Sequence, residues 1–86
     1  MEMADKFEKN IGMDCRIALI DEIILDTELE AFIDEANAIS ETGGKIAVSD
    51  SGTNFAELVV MLVRNGFVSE HVEDLENGEQ AVVFRG

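Results

Sequence analysis

Short apolar runs alternate with stretches of helical spacing between residues 15 and 84. Cys15–Asp21 and Lys45–Ser49 are each apolar on both sides of an extended backbone, which is typical of strands buried inside a sheet. Between them, Thr27 and Glu30 match a capping box, and the Gly43–Gly44 pair follows the end of an apolar stripe. The pattern predicts a helix that joins two strands, with the second strand parallel to the first.

The rest of the chain predicts a second helix followed by a hairpin. Thr53 or Asn54 caps this helix, the latter with Glu57 in the reciprocal position, and the Asn65–Gly66 pair ends it. The Asn77–Gly78 pair is a preferred hairpin turn. The two predicted strands of this hairpin are Phe67–Glu73 and Gln80–Phe84. The predicted order is βαβαββ, an α/β (α+β) two-layer sandwich in which a mixed four-stranded sheet carries two helices on one face.

Residues 1–14 form an N-terminal extension ahead of a single domain at 15–86. Met3, Phe7 and Ile11 recur every four residues, as on one face of a short helix that ends near Gly12.

The sheet face away from the helices requires cover, because Ala18, Ile20 and Ala47 are predicted to lie on it. We expect the extension to pack there through Phe7 and Ile11, or two copies of the chain to form a homodimer through that face.

Composition limits the classes of function. A chain of 86 residues suits one domain, and 47% hydrophobic with 29% charged residues is too apolar for simple disorder. No apolar run approaches the ~18 residues of a membrane span. Nineteen acidic residues against six basic ones give a formal charge of −13, which disfavours nucleic acids and anionic membranes as partners. We interpret most of this charge as solvated surface.

The N-terminus and the cysteine content favour a cytoplasmic location. The first ten residues mix acidic, basic and apolar side chains and do not resemble a secretory signal. Cys15 is the single cysteine, so an internal disulfide is excluded, which is compatible with a reducing compartment.

From about Ala18 to the C-terminus, the chain resembles the sulfur-carrier family of TusA and SirA type. Asp21 corresponds to the family's aspartate at the end of the first strand. Where that family has Cys-Pro-x-Pro at the start of its first helix, this chain has Thr27, Glu28, Leu29 and Glu30. The layout is also similar in three further places: Gly44–Ile46, the Asp50 loop and Asn65–Val68.

The resemblance implies a family site that has lost its chemistry. In the family, the cysteine carries a persulfide, and the helix N-terminus favours its thiolate. Thr27 cannot carry sulfane sulfur, and its hydroxyl is suited to an N-cap role. Glu28 and Glu30 place two carboxylates where the persulfide would lie in the family. The resemblance therefore implies a non-catalytic partner or regulator in a sulfur-transfer pathway, which docks to another protein and needs no cofactor.

Two alternatives remain open. Cys15 could itself carry sulfur, since Arg16 beside it favours a thiolate, although free cysteines are more often buried and ~20 Å of strand and loop separates it from the family site. Alternatively, the chain is an unrelated small acidic protein-binding module, since a fold does not determine a function.

His71 alternates with Ser69 and Glu73 on one face of a predicted strand, so it could join a carboxylate in binding a divalent metal. One histidine with scattered carboxylates is weak support for such a site, and we expect no metal. A single histidine and a single cysteine also cannot supply a nucleophile, a base and an orienting acid, so we do not expect an enzyme.

Overall fold

The computed structural model describes residues 3–13 and 15–86, which form two α-helices and a five-stranded mixed sheet. The helices are α1 (Leu29–Glu41) and α2 (Phe55–Arg64). The strands are β1 (Lys9–Ile11), β2 (Ile17–Ile20), β3 (Lys45–Ser49), β4 (Val68–Asp74) and β5 (Gln80–Arg85). Two 3-10 segments, Met3–Phe7 and Asp26–Glu28, precede β1 and α1.

The strands lie in the order β1-β2-β3-β5-β4. Strands β2 and β3 are parallel, and the other neighbours are antiparallel. From β2 onward, the order βαβαββ, the α/β class and the hairpin are as predicted. No helix among the described residues is long and apolar enough to cross a membrane.

The prediction of four strands was wrong, because the N-terminal extension contributes a fifth strand. Its helical segment ends at Phe7, and β1 then pairs with β2, with Asn10 opposite Ala18. The four-residue spacing of apolar side chains suggested one continuous helix, but the chain extends after one short 3-10 segment. Gly12, with φ of +82°, adopts a left-handed conformation after β1. The parts of the extension at residues 1, 2 and 14 lie outside the described residues.

Both helices pack on the same face of the sheet and form the larger hydrophobic core. Phe32 of α1 and Leu58 of α2 are fully buried against this face. The Met3–Phe7 segment joins this core beside α1, where the ring of Phe7 stacks on Phe32 with 5.6 Å between centroids. The prediction that Phe7 covers the opposite face was therefore wrong.

The opposite face carries a smaller apolar cluster. Its buried members are Ile17, Leu19, Ala47, Ala81 and Val83, with Ile11 and Leu75 packed against them. No helical residue belongs to this cluster. Ile11 therefore contributes cover to this face, as predicted.

The register corrects which residues share this face. Leu19 lies opposite Ala47, so Ala47 belongs to the smaller cluster, whereas Ala18 and Ile20 face the helices. The two ends of the sheet approach each other over the smaller cluster. A Cβ built on Gly12, just after β1, would lie 3.5 Å from Glu73 Oε1 in β4. This curvature makes the face concave.

The hairpin between β4 and β5 contains the predicted Asn77–Gly78 pair, but the central residues of its turn are Glu76 and Asn77, and Gly78 follows them in a three-residue loop. The Gly78 N–H donates to the Leu75 carbonyl at 3.1 Å, and φ of Gly78 is +85°.

Strand β4 contains a bulge, because its pairing shifts between Ser69 and His71. Ser69 lies opposite Phe84 and His71 opposite Val83, which belong to the helix-side and concave-face clusters respectively. Ser69 and His71 therefore face opposite sides. The predicted alternation on one face was therefore wrong for Ser69, whereas His71 and Glu73 do share a face.

Candidate interaction site at the start of the first helix

The loop between β2 and the Asp26–Glu28 segment is held by the side chain of Asn54. The Ile24 N–H donates to Asn54 Oδ1 at 3.1 Å, and Asn54 Nδ2 donates to the Ile24 carbonyl at 2.9 Å. Asn54 is the N-cap residue of α2, but its side chain makes no capping hydrogen bond. Its predicted partner Glu57 accepts a bond from the Asn54 side chain at 3.3 Å. Asn54 thus joins the α2 start to the loop.

Two further side chains fix the neighbouring residues. Lys6, which is buried, donates from Nζ to the Ile23 carbonyl at 3.0 Å and to Glu28 Oε1 at 3.3 Å. The same Glu28 oxygen accepts the Leu25 N–H at 3.0 Å. This backbone hydrogen bond, followed by the contact with Lys6, lowers the pKa of Glu28, while desolvation opposes the shift. The backbone of residues 23–25 is therefore held in place by hydrogen bonds with three side chains.

The result is a fixed loop that presents two large apolar side chains. Ile24 is buried, whereas Ile23 and Leu25 on either side of it are 58% and 59% exposed. Because the backbone is already held in place, a partner that contacts these side chains would lose little loop entropy on binding. The arrangement suits protein binding.

The residues at the predicted family site lie directly after this loop. Thr27 is exposed within the 3-10 segment, Glu28 is half-buried, and Glu30 is exposed in the first turn of α1.

The prediction that Thr27 caps α1 was wrong. The reciprocal pairing lies two residues earlier, where the Glu28 N–H donates to the Leu25 carbonyl at 2.8 Å and the Glu28 carboxylate accepts the Leu25 N–H. Because a 3-10 segment precedes α1, the backbone of Leu25 occupies the N-cap position that was predicted for Thr27.

Cys15 lies at the other end of β2 from Thr27, before the strand begins. It is exposed and has φ of +55°, a left-handed conformation that is uncommon for a residue with a side chain. The predictions that Cys15 belongs to the strand and is buried were therefore wrong. The structure does not bring the thiol and the family-site residues together.

Comparison with protein-family models, curated proteins and solved structures finds no match. The resemblance to the TusA and SirA type therefore stays a prediction.

Carboxylates lie close to His71 and to Lys45. His71 Nε2 lies 2.8 Å from Glu73 Oε1, and Lys45 Nζ lies 2.8 Å from Glu70 Oε2. The hydrogen bond from Lys45 is the main cause of a lowered pKa for Glu70. Within residues 3–13 and 15–86, no group of three or more His, Cys, Asp or Glu side chains is arranged to hold a metal ion.

Sequence reasoning did not single out the exposed pair Ile23 and Leu25. The signal was present as an apolar run between Glu22 and Asp26, because three apolar residues in an acidic loop require either burial or a partner. The contact with Asn54, which is 30 residues from Ile24, had no local signature.

Proposed function

We propose that this protein is a non-catalytic protein-binding module that acts as a partner or regulator in a sulfur-transfer pathway. The observation that carries the binding function is the fixed loop that exposes Ile23 and Leu25. The pathway is suggested by the resemblance to TusA- and SirA-type carriers. In that resemblance, Thr27 stands in place of the carrier cysteine, two residues after the exposed Leu25.

The loop has the features of a small protein contact. Interface energy is concentrated in a few side chains that become fully desolvated, and a rigid backbone reduces the entropy cost of binding. Asp26 follows Leu25 directly and is exposed, and Glu30 is exposed in the first turn of α1. A partner surface that combines an apolar pocket with basic residues would complement this edge. The single cysteine favours a cytoplasmic setting.

The binding test uses purified cysteine desulfurase, the enzyme class that supplies sulfur to carriers of this type. Wild type should bind it, and Ile23→Ser/Leu25→Ser should weaken binding at least about tenfold, because each side chain is a candidate hot spot. The matched control is Val60→Ser/Val63→Ser on α2, whose side chains are 47% and 56% exposed.

Equal weakening by both double variants would refute the role of the loop. Absence of binding by wild type would refute the proposed pathway and favour the alternative of an unrelated acidic binding module. In that case, the same pair of variants should be compared in crosslinking to partners in cells.

A second candidate function is sulfur carriage by Cys15, favoured by the exposure of its side chain. The test is intact-mass analysis after incubation with cysteine desulfurase and cysteine, for wild type and Cys15→Ser. Addition of one sulfur to wild type alone would establish a carrier thiol. Unchanged mass in both proteins would reject it.

A further inference from the structure

A groove crosses the concave face of the sheet, on the side away from the helices. It lies between β1 and the loop of the β4–β5 hairpin, and its volume of about 610 Å³ falls in the ~300–1,000 Å³ range of ligand-binding clefts. Ile11, Leu19 and Leu75 supply apolar surface from the smaller cluster. The groove thus has an apolar floor.

Carboxylates dominate the rim. Asp21, Asp74, Glu76 and Glu79 line the groove together with one basic residue, Lys9. Lys9 is already engaged, because its Nζ lies 2.6 Å from Asp21 Oδ2, and this hydrogen bond raises the pKa of Lys9.

The other three carboxylates have no basic partner in the groove. Asp74 accepts a bond from the neutral amide of Gln80 at 3.0 Å. Glu76 is exposed and Glu79 is half-buried in the hairpin loop. None of these three acids forms a salt bridge within the described part of the chain.

The wall formed by β1 suits an extended occupant. Strand β1 is one edge of the sheet, and Lys9, Asn10 and Ile11 all line the groove. One side of an edge strand lies outside the hydrogen-bonded ladder, and extended peptides bind such edges by adding a strand. A short extended segment could pair there while its side chains contact the floor and the rim.

We propose that this groove binds an extended basic segment of a partner protein. One apolar side chain of the segment lies on Leu19 and Leu75, and its lysine or arginine side chains lie beside Asp74, Glu76 and Glu79. This inference is independent of the proposed function, which depends on the loop that exposes Ile23 and Leu25.

The probe is a fluorescein-labelled peptide of sequence Lys-Ser-Lys-Leu-Lys-Ser-Lys, compared with the same peptide carrying glutamate in place of lysine. Fluorescence anisotropy at about 0.02 M and 0.15 M ionic strength should show binding of the basic peptide alone, weakened by salt. Glu76→Gln/Glu79→Gln should reduce affinity by roughly three- to tenfold, because each exposed ion pair contributes modestly. Circular dichroism checks that the variant is folded.

The matched control is Asp34→Asn/Glu41→Gln on α1, which removes the same charge from exposed positions outside the groove. The affinity of this control variant for the basic peptide should change by less than about twofold, because salt screens the interaction between charges that are far apart. Amide shifts in NMR spectra should concentrate at Asn10 and Leu75 when the peptide is added.

Three results would overturn the proposal. One is the absence of binding of the basic peptide to wild type. Another is equal weakening of binding by both charge variants, which indicates attraction to the net charge alone. Binding of spermine as tight as that of the peptide, with the same loss in Glu76→Gln/Glu79→Gln, would assign the groove to polyamines instead of a protein segment.

Discussion

Replacement of Asn54 by alanine should destabilise the protein far more than loss of an ordinary helix cap. The side chain of Asn54 makes two hydrogen bonds to the backbone of Ile24, at 3.1 and 2.9 Å. Asn54→Ala removes both and leaves the N–H and the carbonyl of a buried residue without these partners.

The magnitude follows from the cost of unpaired peptide groups. A buried donor or acceptor left unsatisfied costs about 1–3 kcal/mol, and these two bonds are partly buried. We therefore expect a loss of about 2–4 kcal/mol in the free energy of unfolding. Total stability is about 5–15 kcal/mol for a domain. The corresponding fall in Tm is about 10–25 °C at this chain length.

Urea unfolding followed by far-UV circular dichroism is the suitable assay, because the chain contains no Trp or Tyr. The matched control is Asn65→Ala. Asn65 Nδ2 donates a single exposed bond to the Met61 carbonyl at 2.7 Å. We expect the control to lose about 1 kcal/mol or less.

Asn54→Asp separates a backbone-holding role from a capping role. Aspartate is as good an N-cap as asparagine, but it replaces the donor that reaches the Ile24 carbonyl with a second oxygen. The variant should therefore be destabilised about as strongly as Asn54→Ala. Wild-type stability of Asn54→Asp would refute the reasoning and assign Asn54 to capping.

Three further predictions concern the N-terminal segment and the turns. Phe7→Ala should cost about 3–4 kcal/mol, because it removes a buried ring; a loss below about 1 kcal/mol in urea unfolding would show that the segment is not part of the core. Glu28 has a pKa below its ordinary value of 4.5, so the unfolded state binds more protons near that pH, and the stabilisation by Glu28 is lost as the pH falls through the lowered pKa. Glu28→Gln should flatten this part of the profile of urea midpoint against pH, and an unchanged slope would contradict the assignment. Gly12→Ala should destabilise the fold more than Gly78→Ala, because both glycines have positive φ but only at Gly12 would the new Cβ meet another side chain within 3.0 Å; equal melting temperatures would contradict that difference.

The order of elements was predictable because its signals are local. The Gly43–Gly44 pair follows the C-cap residue of α1, Thr42, and the Asn77–Gly78 pair lies in the loop of the hairpin. Strand β1 was missed because the spacing of Met3, Phe7 and Ile11 fits a helix, and only pairing with β2 identifies the last of these residues as part of a strand.

The candidate site was less predictable because its geometry depends on distant contacts. Lys6 and Asn54 both reach the loop at residues 23–25 from other parts of the chain. The exposure of Cys15 depends on its left-handed backbone, which nothing in the flanking sequence indicated. The bulge in β4 likewise places Ser69 on the opposite face of the sheet from the predicted one, and no glycine in the sequence indicates the bulge.

The bulge also bears on self-association of the protein. Strand β4 is the longer of the two edges of the sheet, and a regular edge of seven residues would be a template for pairing with another copy. The extra residue Glu70 interrupts that template, and Glu73 and Asp74 add negative charge near its end. Copies of this chain should therefore resist edge-to-edge aggregation through β4, even at high concentration.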